Sequence, residues 1–339
     1  MESGSMYESE KVLEDNLIKQ LIADGYEFVE INDVNDLHDN FRNQINKHNE
    51  QRLKGHKLSD KEFERLLVKI QGKGVYGSSK ILRSLQDITM DDGSTQYIEL
   101  FNTKNNEWCK NEFQVTHQVT MVGKYENRYD VTLLINGLPL VQIELKRRGI
   151  DFKEAFNQVI RYKKHSLNDL FRFVQVFIVS NGIDTKYFAN SDKEMNFQYT
   201  FYWTDKNNNR IDNLYDFALD FLPKCHISKM ISRYMVVDDT QKTLMVMRPY
   251  QYYAVEELMK RADETNNNAY VWHTTGSGKT LTSFKLSQLL STNLNISQVF
   301  FLVDRKDLDS QTIEEFNRFQ KDTVDMTDST ETLIAQMKD

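Results

Sequence analysis

The sequence predicts an α/β protein in two parts: a mixed central sheet flanked by helices, then the opening of a second, parallel-sheet domain. Three observations predict it. Two apolar runs, 130–135 and 140–146, are separated by Asn136-Gly137-Leu138-Pro139, a strong hairpin signal. A helical pattern at 152–165 and an apolar run at 172–180 follow, so strands alternate with a helix. From residue 248 a helix, a short apolar run, a Gly-rich turn, a second helix and a second apolar run give the β–turn–α–β order of a parallel sheet.

Taken in order, residues 9–23 place Val12, Leu13, Leu17, Leu21 and Ile22 on one stripe at helical spacing, with Ser9 as N-cap and Gly25 as terminator. Residues 35–71 are predicted helical and polar, and 97–101 and 113–123 are predicted strands. The stretch 205–212, with three consecutive asparagines, is a surface loop, and 213–247 supplies helical connectors. In the second domain, helices at 251–263 and 279–290 alternate with strands at 269–272 and 298–303. The predicted boundaries are therefore 1–205, 206–247 and 248–339.

Composition narrows the function classes. With 40% hydrophobic and 27% charged residues in 339, the chain is globular, and its net charge of −7 excludes a uniformly basic, nucleic-acid-wrapping surface. The charge is uneven: residues 141–172 hold eight Lys/Arg against four Asp/Glu, whereas 1–40 hold eleven acidic against two basic side chains. A polyanion would be steered to the middle of the chain. Cys109 and Cys225 lie far apart with no CxxC, a reducing-compartment pattern that predicts buried thiols and no disulfide. The acidic N-terminus lacks an apolar core and no apolar run approaches eighteen residues, which predicts a soluble, cytoplasmic protein with no membrane partner. Residues 1–6 read as either a tag scar or an alternative start. None of the seven histidines has metal-type spacing, and His117 is expected as an ordinary strand residue.

The first chemical constellation lies on the hairpin. Strand periodicity puts Gln142, Glu144 and Lys146 on one face and Val141, Ile143 and Leu145 on the other. Asp130 stands at the far end of the preceding run. If Asp130 and Glu144 converge, the two carboxylates suit Mg²⁺, a hard cation that takes oxygen ligands and keeps open positions. The ion would polarise a scissile phosphate and activate a water, while Lys146 orients that water and offsets transition-state charge. Register decides the outcome. A three-residue loop at 136–138 sets the carboxylates directly opposite; a two-residue Asn-Gly turn separates them unless a bulge restores the register. On the next helix Gln158 and Tyr162 share a face at i, i+4, as do Glu10 and Glu14 near the N-terminus, either of which can add a carboxylate.

The second constellation is His273-Thr274-Thr275-Gly276-Ser277-Gly278-Lys279-Thr280 between an apolar run and a helix. Backbone N–H groups of such a turn and the helix N-terminus cradle phosphates. Thr275, Gly276, Ser277 and Gly278 would form the cradle. Lys279 would meet the β- and γ-phosphates, and the Thr280 hydroxyl would ligate Mg²⁺.

Asp130, the run from Asn136 to Lys146 and Gln158-x-x-x-Tyr162 together resemble the N-terminal nuclease domain of the motor (R) subunit of type I restriction enzymes, a RecB-like PD-(D/E)xK domain. Tyr129 stands where that family has proline, at a position without chemistry. The helix carrying Glu10 and Glu14 resembles the family's opening Glu-rich helix. Downstream, the Gly-rich loop resembles that of superfamily 2 helicases, which relax the first position, here His273. Arg248-Pro249-Tyr250-Gln251 resembles their adenine-reading glutamine motif, and 300–311 their strand and loop beside DNA.

The resemblance implies a RecA-like motor lobe after the nuclease domain, with Asp130, Glu144 and Thr280 as Mg²⁺ ligands and Gln251 with residues 275–280 for ATP. It implies double-stranded DNA as substrate, methyltransferase and specificity subunits as partners, and ATP-driven translocation coupled to cleavage. No Asp-Glu hydrolysis box follows Thr280 and no second motor lobe is present, so the chain reads as a nuclease domain plus the start of a motor. Two rivals stand beside it: a stand-alone helicase-nuclease of DNA repair or plasmid defence, and a non-catalytic DNA-binding or assembly module.

Overall fold

A computed structural model describes residues 9–104, 107–122, 126–165, 167–265, 267–302 and 306–321, together with 331 and 334. Residues 1–6 lie outside them. The chain divides into two compact units, Met1–Met235 with Thr243–Val246, and Val236–Lys242 with Met247–Asp339.

The first unit opens with α1 (Glu10–Ala23), β1 (Glu27–Phe28), α2 (Val34–His48), α3 (Asp60–Ile70) and α4 (Val75–Leu82). Ser9 caps α1 by accepting from the Val12 N–H, and Ser59 with Glu62 forms a capping box on α3. The buried stripe of α1 is Leu13, Leu17, Ile18 and Leu21, and it includes Glu14; Val12 and Ile22, predicted on that stripe, are exposed. A charged residue thus occupies an inward position, displaced there by contacts described below.

A small ribbon of β2 (Gln86–Thr89) and β3 (Thr95–Ile98) precedes the main sheet. That sheet is completed by β4 (Phe113–Val122), β5 (Glu126–Ile135), β6 (Leu138–Leu145), then α5 (Lys153–His165), β7 (Val176–Ser180) and β8 (Thr185–Ala189). Its order is β1-β4-β5-β6-β7-β8, with β1 parallel to β4, β6 parallel to β7 and the other pairs antiparallel. Every residue of β6 is buried, as a central strand covered on both faces must be.

The hairpin between β5 and β6 uses a two-residue turn, with Asn136 at φ 51° and Gly137 at φ 80°. Ile135 pairs with Leu138 and Leu134 with Pro139, but Leu133 then pairs with Val141. Leu140 is therefore an extra residue, a bulge that also accommodates a proline with no N–H to give the ladder. Asn136 is fixed by donating to Leu100 O at 3.1 Å and Asn111 Oδ1 at 2.8 Å.

Residues 206–235, expected as a connector, are built into the first unit. After β9 (Trp203–Thr204) and β10 (Arg210–Ile211), α6 (Leu214–Phe221) buries Leu214, Phe217, Ala218 and Phe221. Phe221 meets Tyr187 of β8 and Trp203, with ring centroids 4.8 and 4.9 Å apart. α7 (Lys224–Lys229) and a π-helical turn, Met230–Tyr234, follow. The expectation of two buried thiols is corrected: Cys109 and Cys225 are exposed and joined as a disulfide. Tertiary packing brings them together, because the turn Trp108–Lys110 meets α7, where Asn111 donates to Ser228 Oγ at 3.0 Å. Short strands β11 (Met235–Asp238) and β12 (Thr243–Val246) lie where the chain passes between units.

The second unit contains α8 (Pro249–Glu264), α9 (Lys279–Leu290) and α10 (Lys306–Phe319). Phe284 of α9 packs on Phe316 and Phe319 of α10 at 5.4 and 5.0 Å. The parallel sheet predicted for this unit is not formed among the described residues. Segments 269–272 and 298–302 carry no strand pairing, and 303–305, shared by the predicted strand and the 300–311 motif, lie outside the described residues. A buried parallel strand needs ladder partners and cover on both faces, and the described residues supply neither. Tyr270 and Trp272 are accordingly 87% and 90% exposed. No helix among the described residues is long and apolar enough to cross a membrane.

Candidate active site

The bulge at Leu140 sets the geometry. Beyond it, Leu133 faces Val141, Thr132 faces Gln142 and Val131 faces Ile143, so the next rung sets Asp130 opposite Glu144 on one face. The strand then locks both carboxylates. Asp130 Oδ2 accepts from the Leu145 N–H at 2.8 Å. Glu144 Oε1 accepts from Gln142 Nε2 at 3.0 Å, and the Thr132 hydroxyl in turn donates to Gln142 Oε1 at 2.6 Å. Gln142, which the strand pattern places on the Glu144 face without a task, thus holds the Glu144 carboxyl.

Glu144 is fully buried, and its Oε2 is buried without a hydrogen-bond partner. Burial pushes the Asp130 carboxyl up to about 6. Burial, and then the Asp130 charge, push Glu144 well above the usual carboxylate range. Lys146 extends past the strand end, where its ammonium donates to Leu145 O at 2.9 Å and lies 3.7 Å from Glu10 Oε1. Its backbone N–H donates to Ser180 O at 2.8 Å, which ties the strand end to β7.

A buried carboxyl with an orphaned oxygen, next to a half-buried carboxylate, is costly unless a cation meets them. They fit a divalent ion of the magnesium kind, which binds through one or two carboxylates and keeps several waters. Among the described residues no cluster of three or more His, Cys, Asp and Glu side chains is placed to hold a metal.

The helical pair is brought together beside the start of β5. Gln158 donates its amide to the Tyr162 hydroxyl, which donates to Arg128 O at 2.8 Å at the start of β5. Tyr162 packs on Tyr129 at 4.7 Å. Burial, and then the Glu144 charge, push its phenol up. Both N-terminal glutamates approach the site by separate routes. Glu10 accepts from the Arg147 N–H at 3.3 Å. Glu14 is buried, with Oε1 2.7 Å from His117 Nδ1 and Oε2 accepting from the Gln118 amide. His117 is a strand residue as expected, yet it also carries a contact to the Glu14 carboxylate that no local pattern signals.

In the second unit, Gly276 and Gly278 adopt φ 75° and 79°, which gives the loop 273–280 its reversal before α9. Gln251 Nε2 donates to Ser277 O at 3.2 Å and Gly278 O at 3.4 Å, and the Tyr250 hydroxyl donates to Ser277 O at 2.7 Å. Lys279 folds back on the loop, donating to Thr274 O at 3.3 Å and His273 O at 3.5 Å. Thr275 is exposed, and Thr280 is half-buried in the first turn of α9.

Residues 7–196, which hold the paired carboxylates, Lys146, Gln158 and Tyr162, match the family described as the type I restriction enzyme R protein N terminus. The chain belongs to this family. Residues 250–339, with Gln251 and the Gly-rich loop, match the SWI2/SNF2 ATPase family. Over 334 residues the chain is 55% identical to the type I restriction enzyme SsaAORF53P endonuclease subunit of Staphylococcus saprophyticus, an alignment covering 98% of this chain and 36% of that protein. Over 333 residues it is 56% identical to the SauMSSORF170P endonuclease subunit of Staphylococcus aureus, with the same two coverages of 98% and 36%. It is 39% identical over 264 residues to the EcoprrI endonuclease subunit of Escherichia coli, covering 75% of this chain and 82% of that protein. The chain thus spans about a third of the length of the two staphylococcal R subunits.

Proposed function

We propose that this R-subunit chain carries the Mg²⁺-dependent nuclease centre of a type I restriction enzyme and the ATP-binding loop of its motor. The observation that carries the reading is the Asp130–Glu144 rung with the buried, partnerless Glu144 Oε2. In this reading Asp130 and Glu144 hold the ion, which when bound polarises a scissile phosphate and lowers the pKa of a water. Lys146, at the mouth of the rung, offsets charge on the phosphate and orients the attacking water. Gln158 and Tyr162 brace the start of β5, which fixes the approach of Asp130. The run of basic residues through 146–164 draws in the duplex backbone.

In the second unit, Gly276 and Gly278 leave backbone N–H groups free to receive phosphates, and Thr280 supplies a hydroxyl for Mg²⁺. Lys279 exchanges two loop carbonyls for the phosphates of ATP. Gln251 holds the loop through Ser277 O and Gly278 O, and its amide would exchange those carbonyls for the nucleotide. The assembled enzyme would pair this subunit with methyltransferase and specificity subunits in the cytoplasm, translocate double-stranded DNA on ATP and cut it. The test uses the full-length subunit assembled with those partners and carrying Lys146→Ala. DNA cleavage is lost while DNA-dependent ATP hydrolysis is retained; unimpaired cleavage overturns the nuclease assignment.

A further inference from the structure

We propose that His117 and Gln118 are positioning residues that hold Glu14 as an outer carboxylate of the Asp130–Glu144 centre. The evidence begins with the backbone. Gln118 has φ 54° in the middle of β4, a left-handed conformation that a non-glycine residue in a strand rarely adopts. The β4–β5 ladder pairs His117 with Val131 and Val119 with Tyr129, but omits the Gln118 rung. The residue across that missing rung is Asp130.

Consecutive strand side chains normally point to opposite faces. The reversal at Gln118 cancels that alternation locally, so the side chains of His117 and Gln118 reach one target. His117 Nδ1 lies 2.7 Å from Glu14 Oε1, and the Gln118 amide donates to Glu14 Oε2. Both oxygens of one buried glutamate are gripped by two adjacent residues. A backbone conformation of this kind is strained and persists where surrounding contacts over-determine it. Here the contacts are those to Glu14.

The grip also explains why α1 turns a charged residue inward while Val12 and Ile22 face solvent. Held there, Glu14 lies one turn of α1 beyond Glu10, whose Oε1 is 3.7 Å from the Lys146 ammonium, and it is gripped by the residue across from Asp130. Its oxygens are engaged by protein donors, so it serves the centre without replacing either ligand. Its negative charge favours a divalent ion at the pair, and outer partners of this sort commonly set metal affinity. This inference rests on the reading of Asp130 and Glu144 as the ion-binding pair.

The experiment is Mn²⁺ titration of the nucleotide-free 339-residue chain, followed by loss of the free-ion electron paramagnetic resonance signal. Glu144→Ala tests the parent reading and abolishes binding at the centre. Glu14→Gln, His117→Leu and Gln118→Gly each weaken Mn²⁺ binding roughly tenfold without changing the number of ions bound. His117→Asn, which keeps a donor near the Nδ1 position, restores most of the affinity. Glycine at 118 relieves the left-handed backbone, so weaker binding in that variant reports the lost amide and not misfolding. In the Glu14→Gln background, Gln118→Gly has no further effect, because Gln118 acts through Glu14. Unchanged affinity in Gln118→Gly, or equal losses with and without Glu14, overturns the proposal while Glu144→Ala still abolishes binding. Undiminished binding in Glu144→Ala overturns the parent reading instead.

Discussion

Asp130 and Glu144 face one another across the β5–β6 hairpin because Leu140 is one residue too many for its ladder. In a regular ladder from the same Asn-Gly turn, with Leu140 paired and not bulged, Asp130 would face Ile143 and Glu144 would point to the opposite face of the sheet.

The turn itself is therefore a point of leverage. A Cβ on Gly137 would lie 2.7 Å from the Phe41 Cα, and the φ of 80° disfavours any side chain. Gly137→Ala is expected to destabilise the first unit by about 2–4 kcal/mol, read as a lower urea midpoint with an unchanged slope.

Glu144 places an ionisable carboxyl, its pKa pushed well up by burial, where a permanently neutral side chain would be cheaper. Glu144→Gln is expected to raise the stability of the metal-free protein by about 1–3 kcal/mol, and to remove the additional stabilisation that Mg²⁺ gives the parent chain. Thermal melts with EDTA and with Mg²⁺ measure both effects; a destabilised metal-free variant would contradict the account.

Asp130 makes stability depend on pH in a set direction. Its folded pKa of about 6 lies above the ordinary 3.8, so the folded state holds the proton more tightly. The associated stabilisation is present at low pH and is lost as pH rises from 3.8 through about 6, a change on the order of 3 kcal/mol. Denaturation in EDTA at pH 4 to 7 is expected to show this loss in the parent chain and less of it in Asp130→Asn. Mg²⁺ affinity moves the opposite way, strengthening as pH rises and the proton leaves.

At the nucleotide loop, a Cβ on Gly278 would approach Gln251 Nε2 to 2.5 Å at a φ of 79°. Gly278→Ala is expected to break the contacts from Gln251 to Ser277 O and Gly278 O and to weaken ATP binding about tenfold. A fluorescent ATP analogue reports the affinity, and far-ultraviolet circular dichroism is expected to stay unchanged.

The elements of both units are largely legible in the sequence where local periodicity or capping decides them. Ser9 starts α1, Asn136-Gly137 makes the turn, and the helices at 153–165 and 279–290 follow their apolar spacing. Less legible are features decided by partners distant in the chain. Segments 269–272 and 298–302 have strand composition, yet no described neighbour pairs with them. Cys109 and Cys225 show no motif, and only the packing of their turn on α7 joins them.

Asp130 with Glu144 and Lys146, Gln158 with Tyr162, and the Gly-rich loop are local patterns that can be picked out as candidates, because each set lies within one or two neighbouring elements; Glu-x-Lys is common on strands, and the likeness to the R-subunit nuclease motif is what singles it out. Whether Asp130 and Glu144 share a face is another matter. It depends on the bulge at Leu140, a single residue of register in the β5–β6 ladder. The grip of His117 and Gln118 on Glu14 is likewise invisible in sequence, since it joins residues a hundred positions apart through one reversed backbone torsion. Local chemistry is encoded by neighbours along the chain; convergence is set by the register and packing of whole strands and helices.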